Sequence, residues 1–283
     1  MTVAVVTDST AYLPIRPMLP EAPLTVVPLT VVLDGAQGPE GIEVFPADVL
    51  AALASRRVAV STSRPAPEQF ARTYRRLFEA GVTGVVSIHL SAELSGTVEA
   101  ARLAAVRFDE PVVVLDSRSI GLGLGFPALA AARTASAGAD LPAVVAAARD
   151  AVTRTRTFCY VDTLEFLRRG GRIGAAEALL GTALSVKPIL EVADGALRVR
   201  EKVRTAGRGL ARLIDLAEAA AGDGEVDIGV HHLGAPRRAV ELLDGLAERL
   251  GERLRDRYVT EAGAVVAAHV GPGLICVVVH RRD

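Results

Sequence analysis

VTGVVSIHLSAELSGTVEAARLAAVRFDEPVVVLDS, residues 82–117, holds the pattern that decides the fold. A Val-rich run from Val82 to His89 gives way to a polar loop, then to a helical pattern, then to a second apolar run from Val112 to Leu115. Strand, loop, helix and strand in that order make a βα unit of a parallel sheet. The run Val112-Val113-Val114-Leu115 is continuously apolar, as expected of a strand covered on both faces. Upstream, Val3 to Val6 and Val58 to Ser61 repeat the theme, each followed by a loop and a helical pattern. Beyond Ser61-Thr62-Ser63, Pro65 and Pro67 suit a first helical turn. Phe70, Tyr74, Leu77 and Phe78 then recur on one helical face, and Gly81 ends the helix.

Near residue 156 the rhythm changes. A strand from Phe158 to Val161 is followed by short helical pieces around Gly170-Gly171, then by two strands flanking Asp194-Gly195, a hairpin signal. Helices are expected over Ala206 to Ala221 and Pro236 to Leu250, with a strand at Val226 to Val230 between them. From Ala262 to Val279 only His269 can carry charge, a run long enough to suggest a membrane span. Gly271-Pro272-Gly273 breaks it, so a short helix, a tight turn and a buried strand are expected instead. The fold class is therefore α/β with two domains. A parallel-sheet, Rossmann-like βα domain spans 1–155 and a mixed α/β domain spans 156–283.

The chain has 283 residues, enough for about two domains at roughly 150 residues each. Its 32 basic and 33 acidic residues nearly cancel and aromatics make up 4%, which speaks against a nucleic-acid surface of basic patches and stacking rings. Cys159 and Cys276 sit far apart in sequence without a Cys/His cluster, so they are expected to be buried, inert thiols. No basic, apolar leader opens the chain and no Asn offers a glycosylation site, so a cytoplasmic protein is expected.

Ligands of open parallel sheets bind beyond the carboxyl ends of the strands, beside helix N-termini. The residues at those ends are mostly hydroxyl-bearing: Thr7-Asp8-Ser9-Thr10, Ser61-Thr62-Ser63, His89 with Ser91, Ser95-Gly96-Thr97, and Asp116-Ser117. Each can be a helix cap, but four such loops together suit a carboxylate or phosphate. Nucleotide-loop, nucleophile-elbow and zinc-helix motifs are absent, and the adjacent His231-His232 point to opposite faces of a strand, so no metal site is expected. Gly121-Leu122-Gly123-Leu124-Gly125 departs from dinucleotide spacing, and the uncharged stretch Ser119 to Ala132 suits either helix packing or an apolar tunnel. Lys187 interrupts an apolar run and needs a partner or a route to solvent. Basic residues between Arg198 and Arg212 outnumber the one acid, Glu201, giving a solvated face or a docking surface.

Read in order, these loops resemble the DegV family of bacterial fatty-acid-binding proteins. The matching segments include Thr7 to Thr10, Thr62-Ser63-Arg64-Pro65, His89-Leu90-Ser91 through Ser95-Gly96-Thr97, Asp116-Ser117, Asp162 through Ile173, Lys187-Pro188-Ile189-Leu190, Lys202 to Thr205, and His269 to Gly273. The resemblance implies a fatty acid buried between the two domains of a subunit of bacterial fatty acid kinase. A separate ATP-binding subunit phosphorylates the bound fatty acid to an acyl-phosphate that feeds phospholipid synthesis. By position, Thr62 and Ser95 would hydrogen-bond the carboxyl group and Gly96 would add a backbone N–H; Ser63, His89 and Ser91 are expected as further ligand-binding residues. Arg172 and His269 would support phosphoryl transfer, and Lys202 and Arg204 would face the partner. No resident cofactor or metal is implied, ATP belongs to the partner, and a transient contact with a membrane surface or an acyltransferase fits the role. Two alternatives remain: a hydrolase pairing Ser95 or Ser63 with His89 or His269, and a lipid-responsive adaptor without chemistry.

Overall fold

In the computed structural model, which describes residues 2–13, 23–55, 58–174 and 187–282, the runs at Val3 and Val82 become strands buried on both faces, the run at Val112 a mostly half-buried one, and the run at Val58 one that alternates half-buried and exposed. The first half forms β1 (Val3–Asp8), β2 (Leu24–Val27), β3 (Thr30–Leu33), β4 (Ala36–Pro39), α1 (Pro46–Ser55), β5 (Val60–Ser63), α2 (Pro67–Glu79), β6 (Gly84–His89), α3 (Thr97–Ala105), β7 (Val112–Asp116), α4 (Leu122–Ser136) and α5 (Leu141–Arg154). The second half forms β8 (Thr155–Tyr160), α6 (Glu165–Arg169), β9 (Lys187–Ala193), β10 (Ala196–Val203), α7 (Ala206–Ala221), β11 (Val226–His232), α8 (Pro236–Leu250), β12 (Leu254–Glu261), α9 (Ala264–Val270) and β13 (Ile275–Arg281). Any helical piece between Gly174 and Lys187 falls outside the described residues.

Four strands in the order β2-β1-β6-β7 make the expected parallel sheet. Six in the order β10-β9-β8-β13-β11-β12 make a mixed sheet in which only β11 and β12 run parallel. The run near Val58 to Ser61 departs from expectation. It forms β5, which pairs antiparallel with β3 in a separate three-stranded sheet ordered β4-β3-β5. The reason is local: Asp34 and Gly35 both take positive φ, 49° and 86°, and turn β3 back into β4, a hairpin built like the one at Asp194-Gly195. β5 then docks on the free side of β3, and Thr62 is carried over the six-stranded sheet instead of joining the parallel one.

Helices and sheets stack in five layers. Helices α2 and α3 cover the outer face of the parallel sheet, packing Phe70, Tyr74 and Ala101 against Val6 and Val85. Helices α7 and α8 cover the outer face of the mixed sheet through Leu213, Leu242 and Leu246. Between the two sheets lie α4 and α5, and the largest apolar core runs through this central layer. Residues Leu122 to Leu129 are all buried, which only a run of small and apolar side chains permits. Gly121 holds φ at +64°, and a Cβ there would meet His231 Nε2 at 2.7 Å. The glycine-rich stretch is thus a packing device between sheets.

Candidate functional site

A cavity with about 940 Å³ of unfilled space, mouth included, opens where β5, the loop after β6, α9 and the loop after α6 converge over the mixed sheet. Strand alternation makes its floor. His231, Cys276, Cys159 and Leu190 are register partners across β11, β13, β8 and β9, and all four line the cavity. Their neighbours in sequence, Ile275, Tyr160 and Ile189, point to the opposite face and pack in the core under α7 and α8. Leu29, Leu90, Leu94, Val161 and Leu274 complete apolar walls. The cavity closes at the first turn of α4. There Leu122 fills the place of a side chain at Gly229, and Ser119 Oγ meets Thr157 Oγ1 at 3.2 Å over the next register row.

The other end is polar and cationic. Arg64 and Arg172 line the cavity, and among the described residues no carboxylate does. Thr62 Oγ1 lies 2.7 Å from His269 Nε2, which joins β5 to α9 across the mouth. The His269 Nδ1 atom faces the Gly170 backbone, is buried, and finds no hydrogen-bond partner among the described residues. Burial, with the Arg172 guanidinium second, pulls the His269 pKa down to about 4, so its ring is neutral at pH 7. Arg172 is itself pinned: Nε donates to the Leu94 carbonyl at 3.2 Å and Nη1 to the Gly170 carbonyl at 2.6 Å. Ser95 Oγ sits 2.9 Å from Thr97 Oγ1 at the start of α3. An apolar chain can lie along the floor while its anionic end meets Thr62, Ser95 and the two guanidiniums, each a donor to a carboxylate.

Thr62, Ser63, Ser95, Arg172 and His269 all line this one cavity, though they come from separate segments of both halves of the chain. Gly96 lies just behind the lining, beneath the Arg64 guanidinium. Two other residues read as ligand contacts fall elsewhere. His89 is fully buried within the parallel sheet's layer, its Nδ1 3.1 Å from Asp8 Oδ2 and its Nε2 2.7 Å from Ser87 Oγ. Ser91 donates to the Gly195 carbonyl at 2.7 Å and ties the β6 loop to the β9–β10 hairpin. Both polar side chains satisfy buried backbone and side-chain partners, which their strand-end position alone does not reveal. Lys202 and Arg204 are exposed on and just beyond β10, away from the cavity, and pair with no acid among the described residues.

The hydrolase geometry is not formed at the cavity. Ser95 Oγ bonds Thr97 and Ser63 Oγ bonds the Arg64 carbonyl, so neither serine meets an imidazole. Asp8, His89 and Ser87 do line up as an acid, imidazole and hydroxyl, but Ser87 Oγ is 2.7 Å from the buried Tyr74 hydroxyl and sealed from the cavity. His231 is a structural histidine: Nε2 accepts from the Leu122 N–H at 2.8 Å, and Nδ1 lies 2.6 Å from Thr260 Oγ1. Lys187 finds its partner in Asp162, 2.8 Å from Oδ1. Among the described residues no cluster of His, Cys, Asp or Glu could hold a metal, and no helix is long and apolar enough to cross a membrane.

A second buried polar group escaped the sequence reading. Glu40 accepts from the Val265 N–H at 2.8 Å, from the Tyr12 hydroxyl at 3.3 Å and from Ser9 Oγ. Burial raises the Glu40 pKa against these hydrogen bonds, and burial followed by the Glu40 charge raises that of Tyr12. The cluster anchors the start of α9, and so His269, to the first half of the chain. Arg64 was also missed as a separate site residue; its signal was its place just past the end of β5, two residues after Thr62.

An α/β protein of three sheets with an apolar cavity, closed at one end and cationic at the other, is built to enclose an elongated amphiphile. A family model described as "Uncharacterised protein, DegV family" matches residues 2–282, and this chain belongs to the DegV family. A DegV domain-containing protein of Streptomyces coelicolor is 53% identical over 280 residues, covering 99% of both chains. Among solved structures, a DegV family protein from Thermus thermophilus described for its fatty acid binding superposes with a TM-score of 0.93 at 34% identity, over 99% of this chain and 100% of its own. DegV of Bacillus subtilis, described as a fatty acid binding protein, gives 0.90 at 29% identity and covers 100% of each chain.

Proposed function

We propose that the protein binds a long-chain fatty acid in this cavity and presents its carboxylate to an ATP-binding kinase subunit, which phosphorylates it to an acyl-phosphate. One observation carries the binding: the cavity walls are largely apolar, and among the described residues the only charged side chains lining it, Arg64 and Arg172, are cationic. Each methylene removed from water contributes about 0.8 kcal/mol, so an aliphatic tunnel holds a long chain without aromatic help. The carboxylate then accepts from Thr62, Ser95 and a guanidinium, which replaces the hydration it loses. Fatty-acid binding by the family structures supports the same reading.

Phosphoryl transfer to a carboxylate needs an exposed, oriented oxygen and cations near the incoming charge. Arg172, pinned to two carbonyls at the mouth, offsets that charge, and neutral His269 holds Thr62 in place. The domains of the fold, 1–155 and 156–283, would each contribute one side of the site. Lys202 and Arg204 would meet the kinase subunit, and the acyl-phosphate would pass to an acyltransferase of phospholipid synthesis, at or near a membrane surface, in the cytoplasm. The test is reconstitution with the ATP-binding subunit of a DegV-type kinase, ATP and palmitate. Acyl-phosphate, trapped as the hydroxamate, should form with the parent and fall by on the order of a hundredfold in Arg172→Ala that retains bound palmitate. Full turnover in that variant would remove Arg172 from the reaction.

A further inference from the structure

Cys159 and Cys276, distant in sequence, meet on the cavity floor. They are direct register partners on the antiparallel strands β8 and β13, and their sulfurs lie 2.7 Å apart as free thiols. Opposed residues on antiparallel strands have Cα atoms about 4.5 or 5.5 Å apart, and both spacings fall within the range a disulfide spans. Both side chains project to the same face, since register partners share a face. Their small residual exposure, 8% and 5%, opens onto a cavity wall, because both residues line it.

We propose that this pair is an oxidation site, at which a hydroperoxide entering the cavity joins Cys159 and Cys276 in an intrachain disulfide. The sulfur of one cysteine, as thiolate, attacks the peroxide oxygen. The O–O bond breaks, water or an alcohol leaves with the first thiol's proton, and a sulfenic acid forms. The sulfur of the second cysteine attacks the sulfenic sulfur, the S–S bond forms, the S–O bond breaks, and the departing hydroxide takes the second thiol's proton as water. Two electrons pass from the thiols to the peroxide, and no other reactant is needed. Strand pairing holds the second sulfur in place before the first is oxidised, so the disulfide outruns further oxidation of the sulfenic acid. The Cys159 sulfur and burial push the Cys276 thiol pKa up, so the reaction quickens as pH rises.

An acyl chain lying on this floor covers both sulfurs and slows the reaction. That shielding rests on the fatty-acid reading, whereas the disulfide itself does not. The test uses the full chain, stripped of lipid, exposed to hydrogen peroxide and followed by intact mass and thiol counting under denaturing conditions. The expected product is a monomer that has lost two hydrogens and both titratable thiols, and that dithiothreitol restores. Cys159→Ser should give no such product while keeping the parent's circular dichroism. Free thiols that persist in the folded, lipid-free protein, or oxygen adducts without a disulfide, would overturn the proposal. In a parallel arm, palmitate confirmed by mass spectrometry to be bound should slow disulfide formation several-fold. Equal rates with palmitate bound would show that the chain does not lie over the pair, and disulfide formation in a protein that takes up no palmitate would remove the fatty-acid reading alone.

Discussion

Replacing Thr62 with Val keeps the side chain's shape and removes only its hydroxyl, so it isolates the polar end of the cavity. Thr62 Oγ1 lies 2.7 Å from His269 Nε2 and lines the mouth beside Arg64 and Arg172. A hydrogen bond to a buried carboxylate contributes about 1.5–3 kcal/mol, so palmitate should bind Thr62→Val roughly ten- to a hundredfold more weakly. The change also strips His269 of its hydrogen-bond partner, at a cost of about 1–2 kcal/mol of folding stability. The two effects separate by ligand. Displacement of a fluorescent fatty acid, measured on delipidated protein, should show a smaller loss for hexadecanol, which carries no charge for the hydroxyl to meet. Stability is followed in parallel by urea unfolding. Unchanged palmitate affinity in a folded Thr62→Val protein would refute the placement of the carboxylate.

Ala262 lines the cavity and is 1% exposed, so Ala262→Leu should fill part of the acyl path and weaken long chains more than short ones in the same displacement assay, with equal losses at all lengths counting against the tunnel. Gly121→Ala places a Cβ 2.7 Å from His231 Nε2 at a φ of +64° and should cost about 2 kcal/mol or more in urea unfolding, a parent-like midpoint being incompatible with the packing described. His89→Gln should lower stability yet leave palmitate affinity per folded molecule unchanged, because His89 bonds Asp8 and Ser87 away from the cavity; a selective loss of binding would return it to the site. Burial lowers His231, His269 and His280 to about 4, below the ordinary 6.5, so the unfolded chain binds more protons between those values and stability should fall as pH drops from about 6.5 to about 4. Each histidine contributes up to about 3 kcal/mol, Glu40 with its raised pKa works in the opposite sense, and urea midpoints that stay flat across this window would contradict the buried, neutral rings.

The periodic elements were legible because burial imposes a pattern on them. Helices Ala206–Ala221 and Pro236–Leu250, the hairpin at Asp194-Gly195 and the break at Gly271 were all readable from spacing and turn chemistry. The short strands β3 and β4 were not, since four residues leave too little alternation, although Asp34-Gly35 carried the same turn signal as Asp194-Gly195. The assignment of β5 to the parallel sheet failed for a related reason: a strand's own sequence does not name its neighbour. Hydroxyls at strand ends singled out Thr62, Ser63 and Ser95, which line the cavity, while His89 and Ser91 carry the same signature and serve buried partners instead. Which of two such residues faces a cavity depends on register and on what lies across from it. The Cys159–Cys276 pairing depends on the order of strands in the mixed sheet, which no local pattern encodes.

The central claim is that the cavity holds one intact fatty acid. Purified recombinant protein, extracted with organic solvent and analysed by mass spectrometry against its own concentration, tests it most directly. A stoichiometric, unmodified fatty acid of roughly 14 to 18 carbons, a length compatible with burial of about 0.8 kcal/mol per methylene, is the expected result. A protein that comes out empty, and then takes up no added palmitate after delipidation, would contradict it.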